Sequence, residues 1–419
     1  MKIVIINKSD SLGGAAVVSR RLLDALRARG HEADMLVLHR PEPHAHVHRV
    51  VGRWRARLPF LLERLQIFLG NGRHRGNLFK ADTASFGVPL HRDPLLAEAD
   101  VVCLAWINQG MLSLPEIRRI SEAGKPIVWI MHDMWCMTGL CHHAGECEGF
   151  KGECGLCPLL GRKASPRDLS HRVWRRKQAL YRAIGKGGGI TFVAVSDWLR
   201  ERARASSLLR DARVQVIPNP VPDIPYRIDD KGRGRIVIMI VAARLDDSVK
   251  GLDIFKAMAA RLKLNHPELA ARLQFVAVGA LKGPHALDDF PLELTATGPL
   301  GIHDLAQLYR RAHIVLSTSR YETLPGTLIE GQAHGALPVA FDRGGQSDII
   351  TDGVTGILAP FGADPAADME AALLRGVEMV ENTGYRELQQ RLTASVRERF
   401  DAGAVADRFV KLFEELKGK

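Results

Sequence analysis

Short apolar runs rich in Val, Ile and Leu alternate along the chain with longer segments whose apolar residues recur at helical spacing. Short apolar runs are typical of buried strands, and the longer pattern is typical of amphipathic helices. Strands that alternate with helices favour a parallel sheet covered on both faces. In the first half, strands are predicted at 2–6, 33–38, 101–105, 126–131, 190–195 and 214–217.

The alternation stops at a proline-rich segment and then starts again. Pro218, Pro220, Pro222 and Pro225, followed by the polar, Gly-rich residues 229–235, predict a linker at 219–235. Beyond it, strands are predicted at 236–242, 273–279, 314–317 and 337–341, and helices at 252–264, 303–312, 324–335 and 405–416. We therefore predict an N-terminal domain at 1–218 and a C-terminal domain at 236–402. A ligand cleft is expected outside the carboxyl ends of the strands.

Composition places the chain among ordinary globular proteins. Of 419 residues, 46% are hydrophobic and 25% charged, which excludes disordered and fibrous classes. The longest apolar runs are about half of the ~18 residues that a membrane-spanning helix needs. The N-terminal MKIVIIN enters a strand directly, without the regions of a signal peptide, so a cytoplasmic location is expected.

The net charge of +11 and the pI near 9.5 predict an anionic partner: a nucleic acid, a phosphorylated metabolite or an anionic membrane surface. The cations concentrate in residues 50–80 and 161–186. Residues 54–69 carry apolar residues at helical spacing, flanked by arginines. They predict either a helix lying in a membrane interface or an ordinary helix whose apolar stripe packs on the core. Residues 171–182 mix cations and aromatics in the same way.

Two carboxylates follow a predicted strand of the second half. Glu322 lies in the loop after strand 314–317, and Glu330 lies about one turn into the next helix. Each carboxylate offers two acceptor oxygens for vicinal sugar hydroxyls. The alternative is one acid that complements the helix dipole and one solvated glutamate.

Two cations follow the first strand of the same half. Arg244 and Lys250, with Gly251 ahead of a helix, can converge on one anion and form a diphosphate clamp. The alternative is a pair of surface cations beside Asp246 and Asp247. After the strand 337–341, the pair Gly344 and Gly345 lets backbone amides approach a ligand.

Taken together, these motifs resemble the family 4 retaining glycosyltransferases of GT-B fold. The resemblance rests on the E-x7-E pair Glu322 and Glu330, the Arg244/Lys250-Gly251 set, and the glycine pairs Gly13-Gly14 and Gly344-Gly345. The N-terminal half is similar to a narrower branch, the colanic-acid and exopolysaccharide glycosyltransferases. This likeness rests on Trp106-Ile107-Asn108, His132-Asp133-Met134-Trp135, Thr138-Gly139 and the cysteines that follow.

The resemblance implies two doubly wound Rossmann-like domains that face a central cleft, with the last helix, about 403–419, packed back on the first domain. It implies that Arg244 and Lys250 neutralise the leaving diphosphate, that Glu330 binds the ribose, and that Glu322 and His132 contact the transferred sugar. The implied donor-binding residues also include Gly13, Gly14, Thr323, Leu324, Gly344 and Gly345. Where the family carries a Glu after the second glycine pair, this chain has Asp348.

The implied reaction is retaining sugar transfer from a UDP- or GDP-sugar to a glycan or polyprenyl-diphosphate-linked acceptor. It belongs to the biosynthesis of bacterial exopolysaccharide, lipopolysaccharide or other cell-surface polysaccharide, with peripheral contact at the inner face of the plasma membrane. No cofactor is expected in catalysis, because cations and helix amides stabilise the departing diphosphate and no DxD motif follows a strand. Nothing singles out the nucleophile of a retaining glycosidase.

A cysteine cluster interrupts the N-terminal domain at 136–158. Cys141, Cys147, Cys154 and Cys157, the last two in a CxxC motif, have spacings that suit a structural zinc ion. Free or reversibly oxidised thiols, an iron–sulfur cluster and disulfides are the other interpretations.

Three alternative functions remain at this stage. CxxC, basic runs and a high pI are typical of a zinc-containing nucleic-acid-binding protein, although that class does not explain the chemistry of the second half. A phosphorylase or epimerase of the same fold would change the reaction. A catalytically silent scaffold is disfavoured by the intact Glu322, Glu330, Arg244 and Lys250.

Overall fold

The computed structural model describes residues 1–185, 189–221, 231, 234–283, 285–382 and 384–418. Its contacts divide the chain into two compact units. Unit 1 comprises Met1–Pro220 and Ala402–Lys419, and unit 2 comprises Val221–Asp401. Most of the predicted linker, 219–235, lies outside the described residues.

Unit 1 is built on a seven-stranded parallel sheet in the order β3-β2-β1-β4-β5-β6-β7. Its strands are β1 (Lys2–Ile6), β2 (Glu32–Val37), β3 (Val47–Arg49), β4 (Val101–Leu104), β5 (Ile127–Met131), β6 (Ile190–Ala194) and β7 (Val214–Val216). Its first six helices are α1 (Gly14–Ala28), α2 (Arg53–Gly70), α3 (Pro94–Glu98), α4 (Leu114–Ser121), α5 (Leu169–Gly185) and α6 (Asp197–Ala205). The strand order reverses between β1 and β4, and such switch points are where doubly wound sheets bind ligands.

Unit 2 repeats this architecture with six parallel strands in the order β10-β9-β8-β11-β12-β13. Its strands are β8 (Ile236–Arg244), β9 (Leu273–Ala280), β10 (Leu294–Gly298), β11 (Ile314–Ser317), β12 (Leu337–Phe341) and β13 (Ile357–Ala359). Its helices are α7 (Leu252–Asn265), α8 (Pro267–Ala270), α9 (Ile302–Arg311), α10 (Gly326–Ala333), α11 (Pro365–Asn382) and α12 (Tyr385–Phe400). The switch point of this sheet lies between β8 and β11.

The last helix, α13 (Ala402–Lys417), packs against α1 within unit 1. Arg29 at the end of α1 binds the carboxylate of Asp407 at 2.7 Å. Lys417 binds Asp100, just ahead of β4, at 2.9 Å. These ion pairs join the end of the chain to the elements that begin it. Across the described part of the chain, no helix is both long and apolar enough to cross a membrane.

The prediction of two doubly wound α/β domains is confirmed. The structure differs from it in three short strands and in where one helix begins. The strands β3, β10 and β13 were not predicted. Each lies at a sheet edge, where a strand has one neighbour and needs no long apolar run. The helix predicted at 324–335 begins only at Gly326, because a residue that precedes a proline, here Leu324, disfavours the helical conformation.

Candidate active site

The predicted chemistry of unit 2 gathers at the switch point of its sheet. Arg244 is the last residue of β8, Lys250 ends a short 3-10 turn after it, and Glu322 lies in the loop after β11. The ammonium Nζ of Lys250 lies 2.5 Å from Oε1 of Glu322. The hydroxyl of Ser319 donates to the same oxygen at 2.9 Å. The structure thus brings one predicted cation and one predicted carboxylate into direct contact.

A glycine holds the two loops of this site together. Gly251 adopts a left-handed conformation with φ of 67°, and a Cβ there would lie 2.2 Å from the carbonyl oxygen of Thr318. The hydroxyl of Thr318 donates to the carbonyl of Lys250 at 2.9 Å. No side chain larger than that of glycine fits at position 251 without moving the loop that carries Glu322.

The second glycine pair supports the backbone of Glu322. The N–H of Gly345 donates to the carbonyl of Glu322 at 2.8 Å. Gly344 has a φ of 135°, and a Cβ there would meet that carbonyl oxygen at 2.1 Å. Gly344 and Gly345 therefore contact the backbone of Glu322.

Arg244 takes a different position from the one expected of a clamp. Its guanidinium lies 3.2 Å from Asp246 and 3.3 Å from Asp247, and its side chain is 54% exposed. Arg244 therefore lies as the alternative interpretation predicted, as a surface cation beside these two carboxylates. Lys250 is paired with Glu322 instead.

The remaining predicted residues of unit 2 surround the start of α10. Glu330 is the fifth residue of this helix and is half-buried. Thr323 is half-buried and Leu324 is buried, both in the loop ahead of it. No acidic residue lies in the first turn of α10, so the positive end of its dipole is left for an anion.

Unit 1 carries a cavity of about 530 Å³ at its own switch point. The cavity is lined by residues that follow β1, β4 and β5 and by the first turn of α1: Asn7, Lys8, Ser9, Gly13, Gly14, Trp106, Gln109, His132 and Asp133. All three N-terminal residues predicted for the site, Gly13, Gly14 and His132, lie in this lining.

The helix α1 begins at the cavity. Gly13 has a φ of 93° and accepts hydrogen bonds from the N–H groups of Ala16 and Val17. A Cβ at Gly13 or Gly14 would meet no heavy atom within 4 Å. The first turn contains no acidic residue. An open helix N-terminus of this kind suits a phosphate or another anion.

His132 is a neutral imidazole in this cavity. Burial lowers its pKa to about 4, although the neighbouring Asp133 opposes the shift. At neutral pH the ring can therefore exchange hydrogen bonds with a hydroxyl but carries no charge.

Asp133 is held in its charged form by a hydrogen bond from His142, a residue that the sequence analysis missed. His142 donates through Nδ1 to Asp133 at 2.7 Å and through Nε2 to Asp82 at 2.6 Å. Although burial opposes protonation, Asp133 and Asp82 raise the pKa of His142 to about 10. Burial likewise opposes ionisation of Asp133, yet the imidazolium holds the pKa of this carboxyl well below its usual value. The indole of Trp106 also donates to Asp133, at 2.9 Å.

Lys8 is a second cavity residue that the sequence analysis missed. Burial lowers its pKa to about 8, and its ammonium hydrogen-bonds to the side chain of Gln109. It also lies 5.7 Å from the centroid of the Trp106 ring. In the sequence, the position of Lys8 two residues after β1 was the one indication that it lies at the cavity.

The segment from Trp135 to Thr138 is anchored by a buried lysine of α5. The ammonium of Lys177 donates to the carbonyls of Trp135 at 2.5 Å and Thr138 at 3.0 Å, and lies 3.4 Å from the Trp135 ring centroid. Burial lowers its pKa to about 7. The motif residues Trp135 and Thr138 therefore support the loop that follows β5.

The cysteines of the insertion lie near one another. Burial raises the pKa of the Cys141 thiol to about 12, and Cys157, Cys154 and Cys147 are close enough to add to this shift. The N–H of Gly139 donates to Sγ of Cys154 at 3.2 Å. Within the described ranges, no group of three or more His, Cys, Asp or Glu side chains is arranged to hold a metal ion. The structural zinc ion stays a prediction from the spacing.

Comparison with known families covers both units. The model described as Glycosyltransferase Family 4 matches residues 12–223, and the model described as Glycosyl transferases group 1 matches residues 236–378. The chain belongs to glycosyltransferase family 4. The resemblance seen in the sequence is thereby confirmed, and the interpretation as a nucleic-acid-binding protein loses its support.

Curated relatives of this family 4 glycosyltransferase match over shorter stretches. A D-inositol 3-phosphate glycosyltransferase of Stackebrandtia nassauensis is 35% identical over 26% of this chain and 27% of the relative. The putative colanic acid biosynthesis glycosyl transferase WcaC of Escherichia coli is 24% identical over 36% of this chain and 40% of the relative. The chain spans less than half the length of the curated relatives it matches, from 27% to 48%.

Solved structures share the fold of this family 4 glycosyltransferase across the chain. WaaG, a glycosyltransferase involved in lipopolysaccharide biosynthesis, aligns with a TM-score of 0.63 and 14% identity over 98% of this chain and 99% of its own. HepE of Anabaena, solved in complex with UDP-glucose, aligns with a TM-score of 0.56 and 16% identity over 99% and 100%. WaaG is a glycosyltransferase and shares both sheets with this chain, which confirms the GT-B fold.

Proposed function

We propose that this glycosyltransferase is a retaining enzyme that transfers a sugar from a nucleotide-diphospho-sugar to a glycan or lipid-linked glycan. The observation that carries the proposal is the contact between Lys250 and Glu322 at the switch point of unit 2. A cation and a carboxylate on adjacent loops match the two demands of a sugar–diphosphate donor, which are charge neutralisation and hydroxyl recognition.

The proposed roles follow from this chemistry. Cleavage of the sugar–phosphate bond places negative charge on the leaving diphosphate, and Lys250, Arg244 and the start of α10 would stabilise it electrostatically. Glu322 would accept hydrogen bonds from the transferred sugar and Glu330 from the ribose. For Arg244 this requires exchange of its exposed ion pairs with Asp246 and Asp247 for the phosphate.

We assign His132, Gly13 and Gly14 of unit 1 to the donor as well. The neutral imidazole of His132 would contact a sugar hydroxyl, and the first turn of α1 would receive negative charge. A structural neighbour supports this class of ligand, because HepE of Anabaena was solved in complex with UDP-glucose. A UDP- or GDP-sugar is the proposed donor.

The acceptor is proposed to be a growing cell-surface polysaccharide, as in the pathway named for the relative WcaC. If that glycan is linked to a polyprenyl diphosphate, the enzyme works in the cytoplasm at the inner face of the plasma membrane. Peripheral contact with that membrane then accompanies the reaction.

The test is thermal unfolding with UDP, GDP, ADP and their sugar conjugates. A ligand at ~100 times its Kd adds about 2.7 kcal/mol to the free energy of unfolding. We expect one nucleotide to stabilise the wild type, with the shift lost in Glu330→Gln and retained in the control Glu268→Gln, an exposed residue of α8. If no nucleotide stabilises the wild type, the donor assignment fails.

We propose that catalysis uses no cofactor and treat the zinc ion as a separate structural hypothesis. If Cys141, Cys147, Cys154 and Cys157 hold zinc, the purified chain contains about one zinc ion, in keeping with a four-thiolate site. The variant Cys154→Ser/Cys157→Ser would then lose the metal while Cys103→Ala, a core strand residue, keeps it. A metal-free wild type with reactive thiols would contradict the hypothesis.

A further inference from the structure

The helix α2 presents its large apolar side chains to solvent. Trp54 is 81% exposed, Leu58 60%, Leu61 58%, Leu65 52% and Leu69 54%. Spacings of three and four residues place these side chains along one face of the helix. A stripe of this size is uncommon on a soluble surface and marks an interaction site.

The opposite face of α2 buries charged residues. Glu63 is fully buried, and its Oε1 accepts hydrogen bonds from the backbone N–H groups of Thr83 at 2.9 Å and Ala84 at 2.7 Å. The neighbouring Arg64 is buried against the carboxylate of Asp82. If the helix rotated to bury its leucines, these charged groups would lose their hydrogen-bond and ion-pair partners. Such a loss is energetically costly. The helix is therefore locked with its apolar stripe outward.

The predicted alternative, an ordinary helix that packs its apolar stripe on the core, is wrong for α2. Among its apolar residues only Ala56 and Ile67 are buried, and Pro59, Phe60 and Phe68 are half-buried. The second basic stretch, 171–182, does pack on the core in α5, because Trp174 and Lys177 are buried. Only the first stretch has a free apolar face.

The exposed charges of the segment that carries this face, 50–80, are of one sign. Glu63, which is buried, is the only acidic residue in the range 50–80. The exposed cations of the same range are Arg53, Arg55, Arg57, Arg73, Arg75 and Lys80. Phe79, 61% exposed, stacks on Phe60 with ring centroids 6.4 Å apart and widens the apolar surface.

We propose that the exposed face of α2, together with Phe79, docks on the surface of an anionic lipid bilayer. An interfacial helix typically has apolar side chains along one face and arginines at the flanks. The apolar side chains are buried among the acyl chains, and the arginines pair with anionic headgroups. The charge complementarity favours this occupant over a protein surface, because the segment 50–80 exposes only cations and a bilayer with anionic headgroups is negative over its whole surface.

The docking face adjoins the cavity of unit 1. The ammonium of Lys8, which lines the cavity, lies 5.0 Å from the centroid of the Phe60 ring. A Cβ at Gly110, next to the cavity residue Gln109, would lie 2.7 Å from the backbone nitrogen of Phe60. A docked α2 therefore holds this cavity beside the headgroups, where a lipid-linked acceptor carries its sugar. In this respect the inference deepens the acceptor part of the proposed function and rests on it.

The test is flotation of the full chain with two kinds of vesicle, phosphatidylcholine alone and phosphatidylcholine with about one third phosphatidylglycerol. Neither donor nor acceptor is added. We expect the wild type to bind the anionic vesicles and to lose binding as salt is raised. Leu61→Gln/Leu65→Gln and Arg55→Glu/Arg57→Glu should each weaken binding about tenfold or more.

Two matched controls lie on unit 2. Leu264→Gln removes a leucine that is 81% exposed, and Lys263→Glu/Arg386→Glu makes the same charge change at exposed positions. Both should bind like the wild type. All variants should keep the nucleotide-induced thermal shift, so a failure of membrane docking is distinguishable from a failure of the donor assignment.

The proposal is overturned if the wild type does not bind anionic vesicles, or if both α2 variants bind as tightly as the controls. Equal binding to neutral and anionic vesicles would remove the role of the arginines and overturn it as well. A lipid-free dimer that dissociates in Leu61→Gln/Leu65→Gln would assign the face to a second copy of the chain instead.

Discussion

The ammonium of Lys250 and the carboxylate of Glu322 lie 2.5 Å apart, although 72 residues separate them in the chain. Their side chains are 31% and 19% exposed, so the pair is partly shielded yet open to a ligand. In this arrangement each group partly neutralises the other. In the proposed function, a bound nucleotide-sugar takes over both interactions, with phosphate at the cation and sugar hydroxyls at the carboxylate.

Lys250→Ala is expected to lower the rate of sugar transfer by about 100- to 1,000-fold, the usual cost of removing a group that stabilises transition-state charge. The free energy of unfolding should change by less than about 1 kcal/mol, since a partly exposed ion pair contributes little. Initial rates and thermal unfolding measure both. The control Lys263→Ala, an exposed lysine of α7, should transfer at the normal rate. Transfer near the wild-type rate in Lys250→Ala would refute the role of this lysine.

Gly344→Ala is expected to weaken donor binding by about tenfold or more. Its φ of 135° and a Cβ 2.1 Å from the carbonyl of Glu322 force the loop to move. The strain should cost about 1–3 kcal/mol of stability. Gly283→Ala, where a Cβ meets nothing within 4 Å, is the control. Nucleotide titration calorimetry decides, and an unchanged affinity would show that the loop does not position the donor.

His142→Gln is expected to destabilise unit 1 by about 3–5 kcal/mol near pH 6, because it leaves the carboxylate of Asp133 without its cation, whereas Asp82 keeps Arg64. The folded-state pKa of His142 is raised to about 10 from 6.5. Its stabilising contribution is therefore complete below about pH 6.5 and is lost as the pH rises through 10. The difference in unfolding free energy between wild type and variant should narrow over this range. Denaturant unfolding at several pH values measures it, and a constant difference would contradict the assigned charge.

Binding of a phosphate-bearing ligand in the cavity of unit 1 is expected to weaken as the pH rises past about 8. Burial lowers the pKa of Lys8 to about 8, so its positive charge is lost in that range and the attraction to phosphate with it. Lys8→Met should bind more weakly at pH 7 and show a flatter pH profile, whereas Lys263→Met should behave like the wild type. Identical pH profiles for all three proteins would exclude Lys8 from the binding site.

Much of the fold was predictable because it depends on local pattern. Buried parallel strands need continuous apolar runs, and those runs identified β1, β5 and β11 to within one residue. The strands β3, β10 and β13 escaped detection because each is short and has a single neighbour, although the fourth edge strand, β7, was predicted from its apolar run. The proximity of Lys250 and Glu322 was predictable for a related reason: both follow strand ends, and strand ends of a parallel sheet meet at one edge.

The amino-acid sequence by itself determined the two doubly wound units, their strand-end residues and the family. Tertiary structure alone decided that Lys250 pairs with Glu322 while Arg244 pairs with Asp246 and Asp247. It also decided that His142 bridges Asp133 and Asp82, 60 residues away, and that α2 faces its leucines outward. Hydrophobic periodicity reports which residues share a helix face. Which face turns inward depends on partners distant in the chain, here the groups that bind Glu63 and Arg64.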